Sequence, residues 1–144
     1  GTKVASGSNP ELFLWDAGTG AKTAEFKGHS FWVHGLVWSP DGARLVSGSG
    51  DKTAVIWDAR TGAQLAVLRG HASTVRGLAW LGSAEAGESV VTASYDGTLK
   101  VWDAAHGRVV RTLEGHRREV LSVACGGGSI VSGSADQTVM VWNA

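Results

Sequence analysis

The 144 residues carry no net formal charge, with 13 Lys and Arg against 13 Asp and Glu, so no overall field draws the chain toward nucleic acid or anionic lipid. A lone cysteine, Cys125, excludes an internal disulfide and favours an intracellular setting, cytoplasmic or nuclear. Twenty-one glycines and seven tryptophans against two prolines suit short strands joined by tight turns, which places the chain in the all-β class. No apolar run approaches the roughly 20 residues that cross a bilayer, and Gly1–Pro10 lacks the charged start and apolar core of a secretion signal.

In chain order, the first strand signal is Leu12–Trp15, where apolar residues alternate ahead of Trp15-Asp16. The hairpin loop Asp16–Gly20 follows, and the next landmark is Gly28-His29. Val33–Trp38 is the next strand, closed by the turn Ser39-Pro40-Asp41-Gly42, in which proline presets the backbone angle. Leu45–Ser47 leads to a corner at Asp51, then to the alternating run Ala54–Trp57, the loop Asp58–Gly62, the strand Leu65–Leu68 and Gly70-His71. The same order returns with strands Val75–Trp80, Val90–Thr92, Leu99–Trp102 and Val109–Leu113, here with a longer loop at Leu81–Ser89 and a hairpin at Asp103–Gly107. After Gly115-His116 come Val120–Cys125, a glycine-rich loop at Gly126–Ser129, Ile130–Ser132 and Val139–Trp142.

These landmarks repeat. The pairs Trp15-Asp16, Trp57-Asp58, Trp102-Asp103 and Trp142-Asn143 are spaced by 42, 45 and 40 residues, and Gly28-His29, Gly70-His71 and Gly115-His116 by 42 and 45. Six residues before each later tryptophan stands an aspartate (Asp51, Asp96, Asp136), and ten before it a hydroxyl residue (Ser47, Thr92, Ser132). Four landmarks in fixed order at this period resemble the WD40 repeat, whose fold is a β-propeller of four-stranded antiparallel blades. The resemblance covers essentially the whole chain, as one propeller segment with repeats near 1–27, 28–69, 70–114 and 115–144.

With strands lettered a to d from the propeller axis outward, the resemblance implies the order b-c-d, a-b-c-d, a-b-c-d, a-b-c. That is two complete blades flanked by two incomplete ones. The first repeat is degenerate, with Asn9-Pro10 where the aspartate corner belongs. Propellers of this type usually hold about seven blades, roughly 300 residues at this period. An open arc would leave strand edges and blade faces bare. The expectation is therefore that the chain continues beyond both ends to close the ring.

Serine, histidine and aspartate also build hydrolase triads. A catalytic set occurs once per site, however, whereas here it occurs once per blade. The resemblance implies structural tetrads instead: His29, Ser47, Asp51 and Trp57; His71, Thr92, Asp96 and Trp102; His116, Ser132, Asp136 and Trp142. A buried histidine and aspartate must be satisfied, and in such a chain each satisfies the other. No metal is expected, because the Gly-His histidines stand more than 40 residues apart and one cysteine builds no zinc cage. No cofactor is expected either, since Gly126-Gly127-Gly128 lacks the lysine and helix of a phosphate loop.

Function is expected on a surface. In the family, partners commonly dock on the face that carries the d–a and b–c loops, and positions there correspond to Trp32, His34, Thr74, Arg76, Tyr95, Glu119 and Leu121 of this chain. Trp, Tyr and Arg are the residue types that concentrate interface energy. The expected role is a non-enzymatic scaffold for protein or peptide partners within a multi-protein complex. The rivals are an architectural role in a large assembly and phosphate-directed binding to nucleic acid, phospholipid or phosphopeptide through Arg108, Arg111, Arg117 and Arg118. Glu114 and Glu119 break up that basic run, so a solvated face is the better reading of it.

Overall fold

Period-two alternation with glycine-closed turns produces strands throughout. The computed structural model describes residues 3–83 and 87–144, and among them there is no helix. The fourteen strands are β1 (Lys3–Gly7), β2 (Leu12–Asp16), β3 (Lys22–Phe26), β4 (Val33–Trp38), β5 (Arg44–Ser49), β6 (Thr53–Asp58), β7 (Gln64–Arg69), β8 (Val75–Ser83), β9 (Gly87–Ser94), β10 (Leu99–Asp103), β11 (Arg108–Leu113), β12 (Val120–Gly126), β13 (Ser129–Ser134) and β14 (Val139–Asn143). They pair in four antiparallel sheets of three, four, four and three strands: β1-β2-β3, β4-β5-β6-β7, β8-β9-β10-β11 and β12-β13-β14. The sheets are consecutive blades, and among the described residues the first has no strand inside β1 and the last none outside β14. This is the b-c-d to a-b-c order read from the repeats.

One expectation is corrected. Leu81–Ser89 is largely not a loop: β8 runs on to Ser83 and β9 begins at Gly87, with Leu81 opposite Ser89 and Gly82 opposite Glu88. Residues 84–86 of that segment lie outside the described residues. The extension carries Glu88 to Arg44 of the preceding blade, where the two side chains form an ion pair, and the Arg44 guanidinium lies 5.0 Å over the Trp80 ring. Single-residue spacing rules had no purchase on a hairpin that simply grows longer.

Two register irregularities recur and matter for the surface. In every c–d pair described for blades 1 to 3, the ladder slips just before the tryptophan, at Leu14/Trp15, Ile56/Trp57 and Val101/Trp102. In every inner strand the ladder skips one residue: His34, Arg76 and Leu121 have no partner across the a–b pair. A bulge of this kind bends the strand and re-aims the extra side chain.

The core lies between blades. The tryptophan-bearing face of one blade packs on the opposite face of the blade before it. Leu12, Leu14 and Phe26 of blade 1 meet Leu45, Val55 and Trp57 of blade 2. Val46, Ala54 and Ile56 of blade 2 meet Val75, Val90 and Trp102 of blade 3. Val91, Leu99 and Val101 of blade 3 meet Val120 and Ile130, with Trp142 alongside, in blade 4. The inner strands approach closely enough that a Cβ on Gly77 would sit 3.1 Å from the Ser122 backbone. The Cys125 thiol, half-buried in this packing, is pushed up to about 11 by burial, which keeps it protonated and inert.

The repeats also supply an internal control on burial. Ile56 and Val141 occupy the same repeat position, yet Ile56 is 0% exposed and Val141 69%, because blade 4 presents that face to solvent. In this chain, Ile56→Ala should lower the unfolding free energy by about 2–5 kcal/mol, while Val141→Ala should change it by less than about 0.5 kcal/mol. Urea midpoints of the two variants check this; equal losses would mean that the Val141 face is covered in solution.

Candidate functional site

The end of the blades that carries the d–a and b–c loops is organised by one hydrogen-bonded chain repeated three times. In blade 3, the Trp102 indole N–H donates to Thr92 Oγ1 at 2.8 Å, and Thr92 Oγ1 lies 2.7 Å from His71 Nε2. His71 Nδ1 lies 2.8 Å from Asp96 Oδ2. The Asp96 carboxylate can only accept, so the imidazole carries a proton on Nδ1; in the neutral ring Nε2 is then an acceptor, and the Thr92 hydroxyl, which accepts from Trp102, donates to it. The corresponding distances are 2.7, 2.7 and 2.7 Å through Trp57, Ser47, His29 and Asp51. They are 2.9, 2.8 and 2.9 Å through Trp142, Ser132, His116 and Asp136. Blade 1 keeps only the Trp15–Ser6 bond, at 2.8 Å.

The aspartate does more than hold histidine. Asp96 Oδ2 also accepts the Ala72 N–H at 2.9 Å, and Oδ1 accepts the Thr98 N–H at 2.9 Å and its hydroxyl at 2.7 Å. Asp51 does the same with Ser30 and Thr53, and Asp136 with Arg117 and Thr138. A second serine, two residues before each aspartate, caps the aspartate's own N–H and reaches back to a d–a loop carbonyl: Ser49 to Phe31, Ser94 to Ser73 and Ser134 to Arg118. One main-chain bond per blade completes the clamp, from Gly50 N–H to Trp32 O, Tyr95 N–H to Thr74 O and Ala135 N–H to Glu119 O, each at 2.9 Å. The serine and threonine of this clamp were not among the expected tetrads, although Ser-x-Asp-x-Thr recurs at 49–53, 94–98 and 134–138.

Gly-His pairs have a packing reason. A Cβ on Gly28 or Gly115 would lie 3.0 Å from the Cη2 edge of Trp57 or Trp142, a tight contact, whereas at Gly70 the distance to Trp102 would be 3.4 Å and a φ of +151° is what favours glycine. The hydroxyls Ser47 and Thr92 are fully buried, and Ser132 nearly so. A nucleophile must meet its substrate, and these hydroxyls face histidine, tryptophan and, for Thr92, the Lys100 carbonyl. Among the described residues, no three His, Cys, Asp or Glu side chains converge to hold a metal ion.

The clamps set the exposed residues. Phe31 and Trp32 are each 53% exposed; the Phe31 ring lies over Gly50, with His34 beside it. The bulge residues His34, Arg76 and Leu121 all point into solvent. Arg76 Nη1 donates to the Tyr95 hydroxyl at 3.0 Å, which joins two expected positions, while Thr74 contributes chiefly its carbonyl. Tyr95 also borders a cleft of about 260 Å³ shared with His116, Arg117, Arg118 and Glu119. The basic run divides: Arg108 pairs with Asp103 at 3.2 Å and Arg111 reaches the Asn143 carbonyl, both on β11, whereas Arg117 and Arg118 stand at the loop end.

Burial lowers the His71 pKa below its ordinary 6.5, against the pull of Asp96. Burial would raise that of Asp96, but the Thr98 hydroxyl, the Ala72 N–H and His71 together outweigh it and bring Asp96 from 3.8 down to about 2. Both shifts mean that the unfolded chain takes up the proton first, so both cost stability as pH falls.

Comparison with known proteins follows the same repeat. The family model for the WD domain, G-beta repeat, matches residues 20–58, 62–103 and 107–143, each window taking a d strand with the next three strands. Human apoptotic protease-activating factor 1 is 42% identical over 40 residues, covering 28% of this chain and 3% of that protein. WD repeat-containing protein 1 of Xenopus tropicalis is 40% identical over 58 residues, covering 38% of this chain and 10% of the relative. The chain thus spans a tenth or less of these relatives. Among solved structures, the computationally designed Ika8 protein superposes with a TM-score of 0.87 at 34% identity, over 100% of this chain and 43% of that one. The designed Ika4 protein gives 0.86 at 34% identity, over 99% and 86%.

Two outcomes test the clamp. Asp96→Ala, which strands His71 and two backbone N–H groups, should lower stability by about 1–3 kcal/mol in urea unfolding. For the unsubstituted chain, stability should fall as pH drops below about 6.5, where unfolded His71 protonates, and again from about 4 to 2 with Asp96. Asp96→Ala should abolish the second fall at that site.

Proposed function

The chain belongs to the WD40 repeat family, and from that premise we propose that it is a rigid, non-enzymatic platform that binds protein or peptide partners on the loop end of its blades. WD40 repeats typically mediate protein–protein interaction, and three matched repeats span most of this chain. The observation that carries the reading is the clamp-and-bulge arrangement. Buried polar chains fix the loops, and bulges turn His34 and Arg76 outward beside exposed Phe31, Trp32 and partly exposed Tyr95.

Preorganisation is the physical advantage. Side chains that are about 40 residues apart in sequence stand on adjacent blades, held by bonds already made in the free protein. A partner then loses little loop entropy from this side on binding. Large aromatic and arginine side chains at such positions are the types that contribute most per residue when buried in an interface. The fully buried tetrad hydroxyls support the non-enzymatic part of the reading. By the same logic, the partner contacts fall on residues that the clamp leaves exposed.

The test is a double substitution, Trp32→Ala with Tyr95→Ala, in affinity capture from cell lysate. Loss of captured partners, with a melting midpoint close to the parent's, is the expected result. Capture indistinguishable from the parent's would rule out the loop end as the binding surface. Because each residue is of hot-spot type, the pair should weaken binding by about 2 kcal/mol or more, near thirtyfold.

A further inference from the structure

We infer that a second copy of this chain covers the two bare blade faces at the ends of the arc, head to tail, so that two copies close one ring. Each internal interface joins the back of one blade to the tryptophan-bearing front of the next. On the back, the residues one and three before the tryptophan stand beside one b-strand residue: Ile56, Ala54 and Val46 in blade 2, and Val101, Leu99 and Val91 in blade 3. On the front, the tryptophan stands beside the b-strand residue paired with it: Trp57 with Leu45, Trp102 with Val90 and Trp142 with Ile130. Those back residues, and Leu45, Val90 and Ile130 on the fronts, are all buried.

Blade 4 has the same back, left bare. Val141, Val139 and Val131 take the three positions, and Ala124 on β12 lies opposite Val131. Val139 is 70% exposed and Val141 69%, and none of the four side chains is charged. Blade 1 has the same front, also bare. Val4 pairs with Trp15 yet is 52% exposed, and the Phe13 ring lies edge-on to the indole at 6.0 Å. The Lys22 amine sits 4.8 Å over Phe13 and bonds Glu25, so its stem adds to the apolar surface.

The rest of the molecule says what covers such faces. Every internal back packs on a front of this kind, and every internal front on such a back. A second copy supplies both. Contacts of this head-to-tail type close into a ring or run on as a filament. Two four-blade arcs give eight blades, within the range of about four to eight that propellers hold. Each junction uses b and c strands, which both terminal blades possess. Internal interfaces also use d-strand residues (Leu68, Leu113) and a-strand residues (Val75, Val120), which blades 4 and 1 respectively lack among the described residues. The junction is therefore the smaller interface, and the ring comes apart on dilution. The comparison of Ile56→Ala with Val141→Ala applies to separated chains; in the ring, the loss at Val141 grows with protein concentration.

Sedimentation equilibrium of the chain, over a concentration series reaching about 1 mM, tests this. The mass should rise to twice the 14.9 kDa of a single chain and stop there. Val141→Lys on the back and Val4→Lys on the front should each raise the dissociation constant about tenfold or more, because each sets an unpaired amine in an apolar contact. Val139→Lys repeats the first at a neighbouring position, and Leu65→Lys, on the exposed side of β7, should change nothing. A circular-dichroism melt in dilute solution confirms that each variant is folded. A single-chain mass at every concentration overturns the inference. A mass that climbs past two copies overturns the closed ring. A dimer that Val141→Lys abolishes and Val4→Lys leaves intact is a back-to-back pair and overturns the head-to-tail arrangement. The loop-end capture experiment stands apart from all three results.

Discussion

The fold rests on the satisfaction of one buried imidazole in each of blades 2 to 4. His71 stands where water cannot reach it, between a hydroxyl that is itself buried and a carboxylate that is only partly so. A buried polar ring without partners is costly, and each additional partner in a dry site is worth more than it would be in water. The ring therefore recruits Thr92 and Asp96, Thr92 recruits Trp102, and Asp96 recruits Ala72 and Thr98. Strand b, strand c and the d–a loop become one rigid body as a result. Everything exposed at that end inherits its position from this buried chain.

Between blades the governing constraint is different, since the packing there is apolar and non-directional. Each tryptophan serves both systems: its indole N–H closes the polar chain and its ring fills the interface to the preceding blade. This double duty is why tryptophan cannot be exchanged for another large apolar residue without loss on one side. At Gly28 and Gly115 the loop also crosses close to the indole edge, which favours glycine before histidine. Blade 1, with Trp15 and Ser6 but no histidine or aspartate in the chain, shows the apolar half of the arrangement with little of the polar half.

Much of this was legible in the sequence because it repeats. The spacing of Trp-Asp and Gly-His pairs gave the blade order, and the alternation before each tryptophan gave the buried face of each c strand. Three features escaped for physical reasons. Ser94 and Thr98 look like ordinary turn residues until the Asp96 carboxylate is placed between them. The extension of β8 and β9 into the Leu81–Ser89 segment brings Glu88 to Arg44 in another blade, a contact that no local pattern announces. The resemblance named His34 and Arg76 as loop-end positions, but the cause of their outward turn, a skipped ladder position, escaped, because a one-residue bulge leaves the apolar alternation on either side of it intact. The grouping of Arg76 with Arg117 and Arg118 around Tyr95 is likewise a property of blade stacking and not of spacing.

The central claim is that the histidines are structural links with a fixed proton arrangement. Nitrogen-15 NMR of the histidine ring in the folded chain at neutral pH addresses it directly through His71. The account predicts a neutral His71 ring with its proton on Nδ1 and an acceptor Nε2, in slow exchange with solvent. A rapidly exchanging ring, a proton on Nε2, or a charged imidazolium at neutral pH would contradict it.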